Sequence, residues 1–378
     1  MSEDEPYIKL KKRLQAFLFP LVDSPYTMDL LRLRYSPEEA ELCSKIPFMG
    51  HSLKYISKKL GIPEEELAPK LDALAKKALV VKYGKGRKTT YSLAENQMAM
   101  FRNPFWGGKD EEWIRKYAHL INKYYIEDYG SHLMGNRTLG MRAVPINTTV
   151  EDKSDVLPYE SAVEVVKAHE RHAIVHCACR QRHNLDPAFE TSKYDVNNCF
   201  HFGAVADFIV EQGIGRRSNV EEMLDLLEKS AEQGMIHAVD NFSTDPKTID
   251  TMCNCDPEYC LFTETIRMKT SARSPRGQHP SNFIRAWADQ EECILCGLCA
   301  KRCPMRAIEF VKEEKRIDFH PELCIGCGVC VYKCPTNAII MVRREGTQDH
   351  PKNPLEFVKR VLEERGLDPQ EIMKQETN

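Results

Sequence analysis

Cys293-Ile-Leu-Cys296-Gly-Leu-Cys299-Ala-Lys-Arg-Cys303-Pro304 is followed, 31 residues later, by Cys324-Ile-Gly-Cys327-Gly-Val-Cys330-Val-Tyr-Lys-Cys334-Pro335. The offset holds at every landmark: Cys293 with Cys324, Cys303 with Cys334, Pro304 with Pro335, and Ala307-Ile308 with Ala338-Ile339. One cysteine-bearing unit has therefore been duplicated. Three thiolates spaced three residues apart on a tight loop wrap one corner of a polynuclear centre, and a fourth must arrive from elsewhere. Gly297, Gly326 and Gly328 let the backbone approach closely enough for amide N–H groups to point at sulfur. Ile294, Leu298, Ile325, Val329 and Ile339 supply an apolar shell.

This spacing resembles that of bacterial two-cluster ferredoxins, in which the fourth cysteine of each run serves the other cluster. The resemblance implies one [4Fe–4S] cluster on Cys293, Cys296, Cys299 and Cys334, and a second on Cys324, Cys327, Cys330 and Cys303. Two zinc sites are disfavoured, because zinc ligands usually come as separated pairs.

Seven further cysteines complete the fifteen: Cys43 alone, and a middle group of Cys177, Cys179, Cys199, Cys253, Cys255 and Cys260. A chain of 378 residues whose start, Met-Ser-Glu-Asp-Glu-Pro, lacks an apolar stretch is not read as a small secreted disulfide scaffold. The expectation is a cytoplasmic protein with reduced, metal-holding thiols. Six middle thiols suffice for one [4Fe–4S] cluster with two to spare, or for a larger or second site with non-cysteine help. Iron–sulfur is favoured over zinc, and both over metal-free core cysteines. His169, His172, His176, His183 and His201 lie nearby. His176 and Arg180 bracket the first Cys-x-Cys and are the candidates for supporting roles, as proton donor and anion anchor.

Around these runs the chain divides into five stretches. Residues 1–100 read as helices (from Ser36-Pro37, Ser52–Leu60, and Pro63–Leu79 with Leu67, Leu71 and Leu74 in helical register), then strands at 80–83 and 89–93 joined by Gly84-Lys85-Gly86-Arg87, which is a winged-helix pattern. Residues 101–150 read as a helical linker. Residues 151–270 alternate helices (158–169, and 221–233 behind a Ser218 capping box) with short strands (173–175, 235–239), suggesting a small α/β domain with metal loops beyond the strand ends. Ser271–Ser281 reads as a linker, 282–343 as the ferredoxin-like block, and 344–378 as an amphipathic helix with a tail. The fold class expected is α+β, multidomain.

The whole set, Cys177-Ala-Cys179-Arg180, Cys199, Cys253-Asn254-Cys255 and the two terminal runs, resembles a family of prokaryotic 4Fe-4S ferredoxin-type proteins with a winged-helix N-terminus. That family's last middle loop is often denser in cysteine than the one here. The resemblance implies redox work in anaerobic metabolism.

Composition narrows the function classes. Apolar residues make up 42% and charged ones 29%, with a net charge of −3, so no global field draws in nucleic acid or an anionic membrane. The longest aliphatic run, Ala338–Val342, is far too short to span a bilayer. Single-electron transfer, as a carrier or as the iron–sulfur subunit of a redox complex with partner proteins, is the first expectation. A redox-sensing winged-helix transcriptional regulator is the second; against it, the recognition helix would begin Pro63-Glu64-Glu65-Glu66, three carboxylates facing phosphates. A stand-alone oxidoreductase is the third, although no dinucleotide or P-loop fingerprint occurs.

Overall fold

A computed structural model describes residues 3–130, 132, 137–146, 150, 156–261, 280–346 and 349–377. The linker expected at Ser271–Ser281 lies outside the described residues except for its last two positions.

The N-terminal stretch builds helices Glu5–Gln15, Thr27–Arg34, Pro37–Cys43, Leu53–Leu60 and Glu64–Lys76. Their ends follow local chemistry. Ser36 Oγ accepts from Glu39 N at 3.2 Å while the Glu39 carboxylate accepts from Ser36 N at 2.9 Å, a closed capping box. Ser52 Oγ caps the fourth helix through Tyr55 N, and Gly61, at φ 67°, stops it. The fifth helix ends at Lys76, short of the expected Leu79, because Ala78 turns left-handed at φ 52°. A three-stranded antiparallel sheet follows: β1 (His51–Ser52) and β2 (Val80–Tyr83) flank β3 (Thr90–Leu93). The β2–β3 hairpin leans on the next unit, with Tyr83 edge-on to Phe208 at 6.3 Å and Lys85 paired with Glu211 at 3.3 Å.

The middle of the chain is organised by a six-stranded sheet in the order β4 (Met141–Ala143), β8 (Ile236–Asp240), β9 (Thr251–Cys255), β6 (Cys199–Phe202), β5 (His172–Val175), β7 (Arg216–Ser218). Every pairing is antiparallel. Helices and strands alternate as expected, but the second Cys-x-Cys lies inside β9 and not in a loop beyond a strand end. One face packs Phe200, Phe202, Val239 and Met252 under helices Ala162–Lys167 and Val220–Gln233. The single helix expected at 158–169 is broken at Ser161, whose Oγ captures Glu164 N at 3.0 Å and restarts the chain after a 3₁₀ turn at 158–160. The longer helix is capped by Asn219, accepting from Glu222 N at 2.8 Å, while Ser218 Oγ donates to the Glu222 carboxylate. The opposite face receives helices Ala178–Asn184 and Gly203–Glu211 and, from the stretch expected to be a linker, the turns at 97–106.

In the C-terminal block, β10 (Phe283–Trp287) pairs with β13 (Ile339–Arg343), and β11 (Ile308–Val311) with β12 (Arg316–Phe319) between the two cysteine runs. Two helices close the chain, Pro354–Glu364 and Pro369–Thr377. The first buries Phe357, Val361 and Leu362 and docks back on the N-terminal helices, where Arg365 donates to the Gln15 carbonyl at 3.0 Å. Among the described residues no helix is long and apolar enough to cross a membrane.

Candidate metal centres

The six middle cysteines, 83 positions apart in sequence at their widest, converge: Cys177, Cys179, Cys199, Cys253, Cys255 and Cys260 all line one cavity. Each arrives by a local rule. Cys253 and Cys255 are two apart on β9 and so share a face. Cys199 is the cross-strand partner of Cys253, which puts its thiol on that same face. Cys177 is the N-cap of helix Ala178–Asn184 and Cys179 lies in its first turn, and Cys260 follows the end of β9.

The rest of the lining was not foreseen. Gln97, Phe101, Arg102 and Trp106 reach the cavity from a π-helical turn, Gln97–Arg102, and the short helix Asn103–Trp106. Pro104 has no N–H for the residue four before it, and the turn widens to bonds such as Asn103 N to Met98 O. Arg182 lines the cavity too, with its guanidinium donating to Asn122 Oδ1 at 2.8 Å and stacked over Tyr125. His201, one of the five histidines near the middle cysteines in sequence, brings Nε2 to 3.7 Å from Cys199 Sγ and Nδ1 to 3.2 Å from Thr251 Oγ1. Only the β6–β9 register marks it out.

Arg180 is fully buried behind this wall and bonds two lining residues, the Asn254 carbonyl at 3.1 Å and Asn198 Oδ1. It therefore sits in a supporting position. His176 does not line the cavity; its ring packs on Gly108, whose φ of 64° and missing Cβ make room for it.

The electrostatics suit an anionic, sulfur-rich occupant. Hydrogen bonds from Cys199 and Cys255, with the Arg102 charge adding to them, hold the Cys253 thiol well below its ordinary pKa. A bond with Cys177 favours the Cys179 thiolate, but its bond with Cys260 and burial push that thiol up to about 12. Burial, reinforced by Arg102, lowers His201 to about 3, so its imidazole is neutral. Trp106 Nε1 and Gln97 Nε2 are buried without hydrogen-bond partners among the described residues, although both residues line the cavity. Thiols, unpaired N–H donors and two guanidinium groups together call for an occupant that supplies both cations for the sulfurs and acceptors for the donors. An iron–sulfide cage has both. Among the described residues, no three His, Cys, Asp or Glu side chains gather as a single ion requires.

In the C-terminal block Cys303, Cys324, Cys327 and Cys330 line a second cavity, with Arg285, Ile325, Phe319 and Met341. Amides do point at sulfur there: Gly326 N lies 3.4 Å from Cys324 Sγ and Ala307 N 3.3 Å from Cys303 Sγ. A side chain at Gly326 would strike the Phe283 carbonyl and Ser281 Oγ, so the loop needs its bare backbone. Burial pushes the Cys303, Cys327 and Cys330 thiols up, disfavouring thiolates unless a cation meets them. Of the other four, Cys296 is exposed, Cys293 is half-buried, and Cys299 and Cys334 pack on an apolar patch of Phe283, Ile339 and Met341. Cys43 is buried in the N-terminal core, far in sequence from both groups.

Residues 292–338 match the 4Fe-4S dicluster domain family. The C-terminal block is thus a ferredoxin-type module that binds 4Fe–4S clusters, and an iron–sulfur electron-transfer role follows in general terms. No curated protein and no solved structure matches the chain.

Proposed function

We infer that the protein passes single electrons between two [4Fe–4S] clusters in its C-terminal module and a third iron–sulfur site in the middle sheet, as a carrier or as the iron–sulfur subunit of a larger redox complex. The ligands are Cys293, Cys296, Cys299 and Cys334 for one cluster and Cys324, Cys327, Cys330 and Cys303 for the other. The observation that carries the third site is the convergence of all six middle cysteines on one cavity.

Direct contact between the two units supports transfer between them. Arg302 donates to the Ala231 and Glu232 carbonyls at 3.0 and 3.2 Å and to the Val329 carbonyl at 3.3 Å. Tyr332 Oη donates to Glu232 at 2.9 Å, and Lys333 pairs with the same carboxylate. Three residues beyond Glu232, the Met235 sulfur lies 3.9 Å from Arg180, which itself backs the cysteine cavity.

The regulator alternative gains no such support. The hairpin of the winged-helix-like N-terminus, which a DNA reader lays along phosphates, leans here on Phe208 and Glu211. The deciding experiment is iron, sulfide and zinc analysis of protein purified without oxygen, with EPR of the reduced state. About eight irons from the C-terminal module and about four more from the middle site are expected. A total near eight with stoichiometric zinc overturns the third cluster.

A further inference from the structure

Arg285 is an unusual cation. It sits on β10 at 4% exposure, its Nε and Nη2 have no hydrogen-bond partner among the described residues, and it lines the cavity of Cys303, Cys324, Cys327 and Cys330. Its guanidinium is sandwiched by aromatic rings, 4.0 Å from the Trp287 centroid and 5.1 Å from that of Phe319, which fixes its place without neutralising it. The Trp287 ring that it stacks on packs against the same apolar patch as Cys299 and Cys334. The cavity and the patch hold thiols of both proposed ligand sets, so the guanidinium lies where both clusters feel it. Two other buried arginines are tied to oxygen acceptors. Arg180 is tied to Asn254 and Asn198, and Arg34 to the Ala99 and Lys77 carbonyls.

A buried guanidinium with unpaired N–H groups has a large desolvation cost unless an anion meets it. Thiolate-ligated iron–sulfur clusters carry net negative charge, and one more negative charge on reduction. We propose that Arg285 is a positioning residue for electrons: it sets the reduction potentials of the C-terminal clusters, favouring the reduced state of both through one shared charge. The inference rests on the two-cluster reading of residues 293–334. No bond forms or breaks; one electron enters, and the fixed positive charge stabilises the added negative one.

Three variants of the full chain, R285K, R285Q and R285M, purified without oxygen, test this by EPR-monitored redox titration beside iron and sulfide analysis. At the wild-type midpoint, R285Q and R285M are expected to lower the reduced-to-oxidised ratio at least tenfold, about 59 mV for one electron, while R285K stays within threefold. Should R285M fail to assemble clusters, the R285K and R285Q pair decides. The proposal is overturned if cluster-loaded R285Q titrates as the wild type does, or if R285K shifts as far as R285Q. Wild-type protein without iron and sulfide instead overturns the cluster assignment on which it stands.

Discussion

Cys303 follows three cysteines of its own run, yet it lines a cavity with Cys324, Cys327 and Cys330 of the other. Cys303→Ala is therefore expected to damage the cluster of the second run, leaving its own run's cluster closer to intact. EPR of the reduced variant showing the reverse loss removes the crossed ligation. His237 offers a test of a different kind. It is 1% exposed, lines the far face of the sheet, and donates from Nδ1 to Asn254 Oδ1 at 2.7 Å. Burial lowers its pKa from 6.5 to about 4. The folded state thus resists a proton that the unfolded chain accepts. Its contribution is complete above pH 6.5 and is lost as pH falls toward 4, about 3 kcal/mol at most. His237→Gln keeps a donor for Asn254 and removes the titration. Thermal melts from pH 7 to 4 are expected to fall less steeply for the variant than for the wild type; parallel curves contradict the assignment.

Elements that close on themselves were read from sequence with small errors. The capped helix start at Ser36 and the helix from Ser52 with Gly61 behind it depend on residues within four positions of one another, and the strands 80–83 and 90–93 on a hairpin partner at most 13 positions away. The errors came where a distant or competing partner won. Ser161 splits a helix, and the turns at 97–106, whose residues from 101 on were taken as a linker, became a cavity wall because they pack on helix Ala178–Asn184, with Trp106 against His201 at 4.6 Å. The last helix, Pro369–Thr377, was not expected at all, and tertiary contacts hold it. Glu376, 2% exposed, accepts from Arg13 and from Phe48 N at 2.6 Å, while its carbonyl accepts from His51 at 2.8 Å. Glu376→Ala is expected to cost about 2 kcal/mol, since it leaves a buried N–H and a half-buried guanidinium without their acceptor. The urea midpoint should drop while iron content holds. An unchanged midpoint means the C-terminal helix is not fastened there.

At the scale of the molecule, two carboxylates join the ferredoxin-type module to the middle sheet. Glu160, 4% exposed, accepts from Arg343 at 3.0 and 3.2 Å, from Leu157 N at 2.9 Å and from Asn282. Glu232 holds Tyr332 and Lys333 beside the second cysteine run. Glu232→Lys opposes Lys333 with a like charge on the surface, where it is too exposed to unfold the chain. Electron equilibration between the C-terminal and middle sites should slow severalfold in freeze-quench EPR, with both sets of potentials unchanged. Equal rates in variant and wild type indicate that electrons do not cross at this contact.

The sequence by itself determined the duplicated cysteine runs, and with them the 4Fe–4S character of residues 292–338, because cluster-binding loops are short and their spacing is their chemistry. It also determined which six further thiols to suspect. Only the tertiary structure decided that these six face one cavity, that Arg102, Arg182, Trp106 and His201 surround it, and that Arg285 lines the cavity of Cys303, Cys324, Cys327 and Cys330. Spacing along a chain encodes contacts across a few residues. Convergence of segments dozens of residues apart is fixed by strand register and by which faces bury together, and neither leaves a local mark.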